Sequence, residues 1–114
     1  MKPLVFSGRV IKGKQKGKPL GFPTANISLY QRVPSGIYLS TTNYSGTIYP
    51  SLSYIGNEKI LETYILDFDE NLYGKWITVE LRNQLRNSEK FDSTADLVAA
   101  IKEDEKKARE YFKR

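Results

Sequence analysis

Three groups of residues between positions 12 and 62 have types and spacings that could do chemistry. The first is the run KGKQKGK at residues 12–18, in which glycines allow close backbone approach and lysines supply positive charge, a combination that suits a polyphosphate. It is not a Walker loop, which needs four residues between its glycines and a hydroxyl after its lysine. Here three residues separate Gly13 from Gly17, and Pro19 follows Lys18. A solvated surface loop would explain the run equally well.

The second group is the pair Thr24 and Asn26, which stand on either side of Ala25. Alternation along a strand puts both polar side chains on one face. Their neutral oxygens can join the shell of Mg²⁺, which takes one or two protein ligands and draws the rest from phosphates and water. The alternative is a plain strand start after Pro23, with Asn26 bonded to a neighbouring loop.

The third candidate is Glu62, within KILETYILDF at residues 59–68. Strand alternation gives Glu62 largely apolar neighbours on its own face and on the opposite face. Partial burial disfavours a charged carboxylate and raises its pKa towards that of a useful base. The sequence contains no histidine, so Glu62 is the strongest general-base candidate. The alternative is a structural role, in which Glu62 lies at the rim of a barrel and pairs with a lysine.

Composition limits the remaining possibilities. The 114 residues suffice for one domain, and the absence of cysteine and histidine excludes disulfides, thiolate metal sites and the usual zinc ligand. The N-terminus lacks the apolar core of a signal peptide, and no segment approaches the roughly 20 apolar residues of a membrane span. We therefore expect a monomeric, cytoplasmic protein without a membrane segment.

The charge is distributed unevenly along the chain. The net charge is +5, yet all 13 acidic residues lie from Glu58 onward, while residues 1–57 carry only basic charges. This asymmetry indicates an anionic partner, either a nucleotide or a nucleic acid. A solvated basic surface with no ligand is the alternative.

Before about residue 90 the sequence predicts a mainly β domain. Short segments rich in tyrosine, isoleucine, valine and threonine alternate with turn residues, as strands require. Six strands near-regularly spaced favour a small closed barrel or a sandwich, because closure removes exposed edges. The predicted strands are residues 3–11, 24–29, 36–44, 46–56, 59–68 and 75–82.

After Phe91 the pattern changes to that of a helix. Ser93 and Asp96 form a capping-box pattern, acidic residues crowd the first turns, and lysine and arginine crowd the last. We expect an apolar stripe to pack this helix against the barrel. Its members recur at helical spacing and are Leu97, Ile101, Ala108 and Phe112.

These features, in this order, resemble the riboflavin kinase (flavokinase) family from Gly8 to about Ala108. The resemblance is carried by GFPTAN at 21–26, by ETYILDF followed by LYGK, and by LRNSEKFDS leading into the helix. It implies a single domain over residues 1–114, folded as a six-stranded Greek-key closed β-barrel over about 3–84 with a C-terminal α-helix over about 93–113.

The resemblance also implies an activity, the transfer of the γ-phosphoryl group of ATP to the 5′-hydroxyl of riboflavin, giving FMN and ADP with Mg²⁺. Thr24 and Asn26 then correspond to residues that bind the magnesium and the nucleotide phosphates. Gly13 and Lys18 correspond to nucleotide contacts in a glycine-rich flap.

On the flavin side, the resemblance makes Glu62 the catalytic glutamate, which orients the riboflavin hydroxyl and accepts its proton. Arg86 and Phe91 fall in a loop that closes over the flavin. Ile65 and Phe91 are expected to line an apolar slot for the flavin ring.

Two other interpretations remain open. The connection after Gly56 is shorter than is usual in this family, which would suit a flavin-binding regulatory module with weak or no kinase activity, as part of a longer RNA-associated protein. A plain nucleic-acid-binding barrel would explain the basic first half and the tyrosines, but neither Glu62 nor the pair Thr24 and Asn26. No adenylyltransferase domain is present in the sequence, so FAD synthesis is not expected of it.

Overall fold

The computed structural model describes residues 4–13 and 18–113, which form six strands, one α-helix and a single 3₁₀ turn. Every predicted strand and the predicted helix are present, and the sixth strand extends to Arg86 instead of ending at residue 82. Residues 14–17 of the lysine-rich run lie outside the described residues. The elements are β1 (Leu4–Arg9), the turn (Lys18–Leu20), β2 (Ala25–Ser28), β3 (Gly36–Tyr44), β4 (Thr47–Ile55), β5 (Ile60–Ile65), β6 (Trp76–Arg86) and α1 (Thr94–Tyr111).

The six strands form one antiparallel sheet in the order β1-β6-β3-β4-β5-β2. Its edges, β1 and β2, come together beyond the end of β1. The backbone N–H of Ile11 donates to the carbonyl of Asn26 at 2.8 Å, an antiparallel bridge that joins the two edges. The predicted barrel is therefore confirmed in a nearly closed form. We call this join between Ile11 and Asn26 the seam.

Alternate residues of the strands fill the barrel interior. Ile27, Leu61, Ile77 and Val79 are fully buried there. Each such side chain contributes about 1.5–3 kcal/mol of stability when it leaves water. The alternation of apolar and polar residues predicted from the sequence is thus the main reason that the sheet curls around a core.

A line of hydroxyl groups also lies inside the barrel, on β3, β4 and β5. We call it the hydroxyl chain, and each of its members is at most 1% exposed. Neighbouring oxygens are separated by 2.7–3.1 Å, so these groups hydrogen-bond to one another and can be buried without leaving their oxygens unsatisfied. In order, the members are Thr42, Ser51, Ser40, Ser53 and Thr63.

The helix α1 covers part of the outer face of the barrel. Ala108 packs with apolar residues of β3 and β4, including Leu39 and Leu52, and Phe112 packs at the edge of this cluster. The predicted N-cap is observed, because the backbone N–H of Asp96 donates to the hydroxyl of Ser93 at 3.1 Å. In the described part of the chain, no helix combines the length and apolar character needed to cross a bilayer.

An acidic residue interrupts the apolar stripe of α1. Asp104 is 1% exposed, and it accepts hydrogen bonds from Nε and Nη2 of Arg86, both at 2.8 Å. The hydrogen bond to Asp104 is the main reason that the pKa of Arg86 is raised above its usual value. This ion pair ties the end of β6 to the middle of the helix.

Replacing Asp104 by alanine should destabilise the fold. The Arg86 guanidinium would then be a partly buried charge without its bidentate partner, and such losses lower the free energy of unfolding by about 3 kcal/mol. Urea unfolding would measure the change. The matched control is Glu103→Ala, at an exposed position of the same helix, which should stay within about 0.5 kcal/mol of the parent protein. Equal losses in the two variants would contradict this role of the ion pair.

Candidate functional site

A cavity of about 790 Å³ opens beside the seam, a volume within the range of small-molecule sites. It reaches both faces of the sheet around the short strand β2. The outer face contributes Thr24, Asn26 and Tyr64, and the inner face contributes Ala25, Thr63 and Ile65. The remaining walls are residues 10–13, Lys18, Gly21, Pro23, residues 67–73 and Arg109.

The structure brings Gly13, Thr24 and Asn26 together on one side of this cavity. The Asn26 side chain is 2% exposed, and its Oδ1 accepts a hydrogen bond from the Thr24 hydroxyl at 3.2 Å. A Cβ atom on Gly13 would overlap the carboxamide of Asn26. A glycine is therefore required for the backbone at residue 13 to lie against this side chain.

Strand register places Glu62 beside Asn26. These two residues are direct partners in the antiparallel ladder of β2 and β5. Direct partners point to the same face with Cβ atoms about 4.5–5.5 Å apart. The described residues that line the cavity do not include Glu62, so its half-buried side chain lies next to the Asn26 wall and outside the cavity.

Pairing continues from Glu62 across three more strands, with a register shift in the β3–β6 ladder directly after the last pair. Glu62 pairs with Tyr54, Tyr54 with Ile37, and Ile37 with Arg86. We call the line Arg86, Ile37, Tyr54, Glu62 and Asn26 the outer row. With strands about 4.8 Å apart, Arg86 lies roughly 14 Å from Glu62 along this row.

The predicted flavin-binding residues fall in two places. Ile65 faces the barrel interior and lines the cavity. Arg86 and Phe91 lie at the far end of the outer row, where the guanidinium carbon stands 5.9 Å from the centre of the Phe91 ring. Neither of these two residues is among those that line the cavity in the described part of the chain.

Tyr54, which the sequence analysis did not single out, occupies the middle of the outer row. Its hydroxyl is buried and has no hydrogen-bond partner among the described residues. Burial, followed by the nearby negative charge of Asp104, raises the pKa of Tyr54 well above its usual value. The phenol is therefore neutral, and it retains an unused donor on the face that carries Glu62.

Charged groups surround the mouth of the cavity. Lys12 places its ammonium group 5.3 Å from the centre of the Tyr73 ring, and Lys18 lines the same side. Arg109, which also lines the cavity, donates to both carboxylate oxygens of Asp67, at 2.9 and 3.0 Å. This hydrogen bonding holds the pKa of Asp67 below its usual range. Arg109 and residues 67–73 could not be assigned to a site from sequence, because only the fold brings the helix end to the β5–β6 connection.

The oxygens of Thr24 and Asn26 fit one edge of a magnesium shell. They are 3.2 Å apart, close to the separation of about 2.9 Å between adjacent ligands in an octahedron with bonds of 2.0–2.1 Å. Across residues 4–13 and 18–113, no group of three or more acidic, histidine or cysteine side chains could hold a metal ion. A cation at this position would thus depend on a ligand that brings its own negative charge.

Comparison with known sequences identifies relatives over nearly the whole chain. The model of the flavokinase family, described as riboflavin kinase, matches residues 1–112. The bifunctional riboflavin kinase/FMN adenylyltransferase of Haemophilus influenzae is 36% identical over 121 residues, covering 97% of this chain and 39% of the relative. The protein of the same description from Bacillus subtilis is 30% identical over 123 residues, covering 96% of this chain and 39% of the relative. The chain thus spans about two fifths of the length of these relatives.

Solved structures share the barrel and helix. The riboflavin kinase of Trypanosoma brucei has a TM-score of 0.71 and 27% identity, covering 100% of this chain and 82% of that one. A crystal structure described as a macrolide-efflux protein from Streptococcus pneumoniae has a TM-score of 0.86 and 32% identity, covering 94% of this chain and 38% of that one. The architecture is therefore shared with proteins of more than one description.

Substituting Gly13 by alanine should damage the cavity wall without unfolding the protein. The new Cβ would push the Asn26 carboxamide away from Thr24, so the affinity for magnesium–ATP, the ligand that we propose below, should fall at least about tenfold. Isothermal titration calorimetry would measure this affinity. Gly56→Ala is the control, because its added Cβ would meet open space and should leave the affinity unchanged. Wild-type affinity in the Gly13 variant would contradict the importance of this contact.

Proposed function

The chain belongs to the riboflavin kinase family, and from this premise we propose that it transfers the γ-phosphoryl group of ATP to the 5′-hydroxyl of riboflavin, releasing FMN and ADP. The observation that carries the proposal is the register that sets Glu62 beside Asn26, with the cavity on the Asn26 side. Phosphoryl transfer needs chiefly alignment of its reactants and neutralisation of charge, and this arrangement offers both.

We assign the cavity to the nucleotide. Lys12 and Lys18 supply positive charge at its mouth, and the backbone at Gly13 approaches closely beside them. The neighbouring inner-face residues, Ala25 and Ile65, offer an apolar surface that suits a nucleobase. We therefore assign Ile65, which was expected to contact the flavin, to the base of the nucleotide.

Thr24 and Asn26 would hold the magnesium ion through their side-chain oxygens. The bound ion would offset the charge of the phosphates during transfer. Both side chains are already oriented by their mutual hydrogen bond, and the pair sits on the same face as Glu62. The neutral ligands would leave the charge balance of the ion to the nucleotide.

Glu62 would orient the riboflavin hydroxyl and accept its proton. Its position in the outer row lets a hydroxyl bound against Tyr54 reach a phosphoryl group held at Asn26. The flavin would then lie on the side of Glu62 that leads towards Arg86 and Phe91. This direction places the two substrates on opposite sides of the reacting phosphorus, as in-line transfer requires.

We further propose that one chain suffices for this activity and that it acts as a cytoplasmic monomer. The seam, the cavity and the outer row are all built from the same chain. No second copy is needed to complete any of the three.

The decisive experiment incubates the protein with riboflavin, ATP and magnesium and separates FMN by chromatography. We expect FMN to form, and we expect Glu62→Gln to lower kcat by about 10²–10⁴-fold while riboflavin binding persists, because the amide cannot accept the proton. The control is Glu110→Gln, at an exposed position of α1, which should retain activity. Flavin binding without any FMN would favour a regulatory module, and full turnover by Glu62→Gln would remove the role given to this residue.

Removal of divalent cations should abolish turnover. With a chelator present, FMN formation should cease, and added magnesium should restore it. Thr24→Val removes one proposed ligand at nearly constant volume, so it should raise the magnesium concentration needed for half-maximal rate by about tenfold. Thr78→Val, on the outer face of β6, serves as the control. An unchanged magnesium dependence in Thr24→Val would argue against a metal at this position.

A further inference from the structure

The C-terminal end of α1 contacts one wall of the cavity through an arginine. Arg109 donates from Nη1 and Nη2 to the two carboxylate oxygens of Asp67, at 2.9 and 3.0 Å. Its Nε and Nη2 also donate to Glu105, one turn earlier on the helix, at 3.0 and 2.6 Å. A bidentate pair fixes the geometry of both partners more tightly than a single contact does. Arg109 therefore ties Asp67 to the helix.

Asp67 has a backbone conformation that residues with a side chain seldom adopt. Its φ is +55°, in the left-handed region, which disfavours L residues and tolerates aspartate better than most. A conformation of this kind costs free energy and persists where the surrounding contacts hold it. It falls directly after the buried residues Ile65 and Leu66, so the turn that follows β5 is made at a strained residue.

This left-handed residue changes the alternation of the chain. Ile65 faces the barrel interior, and Leu66 faces the helix. Continued alternation would point Asp67 inward, away from α1, and Phe68 outward. In the structure, Asp67 meets Arg109 on the helix, and Phe68 packs against the interior cluster. The ion pair and the inward position of Phe68 therefore require the same turn.

Phe68 begins a wall of the cavity. Its side chain lines the cavity, and its ring packs edge-to-face against Tyr49, with the ring centres 4.9 Å apart. Residues 69–73 continue the same wall. A change in the turn at Asp67 would therefore displace Phe68 and the wall that follows it.

We propose that Arg109 is a positioning residue for the nucleotide, because through Asp67 it holds the left-handed turn that places Phe68 in the cavity wall. The inference rests on the proposed function, which assigns the cavity to magnesium–ATP. Two carboxylates already engage all three nitrogens of Arg109, so its charge is balanced within the protein and is not offered to the phosphates. The helix that covers the barrel thereby also shapes the site.

Three single variants test this role by calorimetric titration of the full chain with magnesium–ATP. Arg109→Gln should raise the Kd by about three- to fivefold, because the neutral side chain cannot hold the carboxylate bidentately. Asp67→Ala removes the same ion pair and also disfavours the turn, so it should raise the Kd by at least about as much. Asp67→Gly removes the ion pair but adopts the turn freely, so it should raise the Kd by at most about twofold.

The double variant Arg109→Gln with Asp67→Gly is the strictest test. Glycine needs no arginine to hold the turn, so the Kd of the double variant should lie within about twofold of that of Asp67→Gly alone. The control is Lys107→Gln, which removes one positive charge from an exposed position of α1 that is not among the described residues lining the cavity, and its Kd should be unchanged. Should Asp67→Ala fail to fold, the comparison of Arg109→Gln with the double variant decides alone.

Two alternative roles of Arg109 predict different results, and either set would overturn the proposal. If Arg109 bound the phosphates directly, both Asp67 variants would free it and bind magnesium–ATP at least as tightly as the wild type. The double variant would then be as weak as Arg109→Gln. If the ion pair only stabilised the fold, Arg109→Gln would raise the KM for riboflavin as much as the KM for ATP, or would leave both unchanged. Under the proposal, only the KM for ATP rises.

The FMN assay separates this inference from the proposed function. Magnesium–ATP binding that follows the expected order of variants, without FMN formation, would contradict the kinase activity and leave the role of Arg109 standing. FMN formation with a Kd for magnesium–ATP that does not respond to Arg109→Gln would contradict the role of Arg109 alone. If the protein neither binds magnesium–ATP nor forms FMN, both are wrong.

Discussion

The seam between Ile11 and Asn26 is the contact on which the rest of the site depends. The two edge strands of a curled sheet carry backbone N–H and C=O groups that need partners. Here the backbone of Asn26, in the short strand β2, makes the bridge between the edges, and its side chain faces the site. Beside the seam the edges diverge, which opens the cavity. The same residue thus closes the barrel and orients the polar groups at its opening. Gly13 is tied to this arrangement, because any side chain there would occupy the space of the Asn26 carboxamide.

The strand register determines which residues of the other strands lie in line with Asn26 at the seam. A slip of one residue in any ladder would turn every outward side chain of that strand inward, so the outer row exists only if five strands keep their pairing. The burial of Ile27 against Leu61 fixes the pairing of β2 with β5, and therefore fixes Glu62 beside Asn26. The short connection after Gly56 does not disturb this pairing, since Tyr54 and Glu62 remain partners across it. The apolar core therefore sets the geometry of a polar site on the outside of the barrel.

The sequence predicted the elements well, because strand alternation and the helical stripe are local patterns. The shared face of Thr24 and Asn26 follows from the same alternation. What could not be predicted depends on partners distant in the chain. The burial of Asp104 depends on Arg86, which is distant in the sequence and supplies its counter-charge. The serines and threonines of the hydroxyl chain suit either face of a strand. Arg109 joins the cavity because the end of α1 returns to Asp67.

The cavity side of the site and the side formed by the outer row are stabilised by different contacts. The difference affects how each substrate would bind in the proposed reaction. On the cavity side, the Asn26 side chain is fixed by Thr24, by the Gly13 backbone and by the seam. On the other side, the Arg86–Asp104 ion pair anchors the outer row, yet among residues 4–13 and 18–113 the buried Tyr54 hydroxyl beside it has no hydrogen-bond partner. An unsatisfied buried hydroxyl raises the free energy of the ligand-free state by about 1–3 kcal/mol, and a bound group that accepted from it would recover that amount. In the proposed reaction, the nucleotide would therefore meet an Asn26 side chain that is already held in place. The flavin would complete the pairing of its own half as it bound against Glu62.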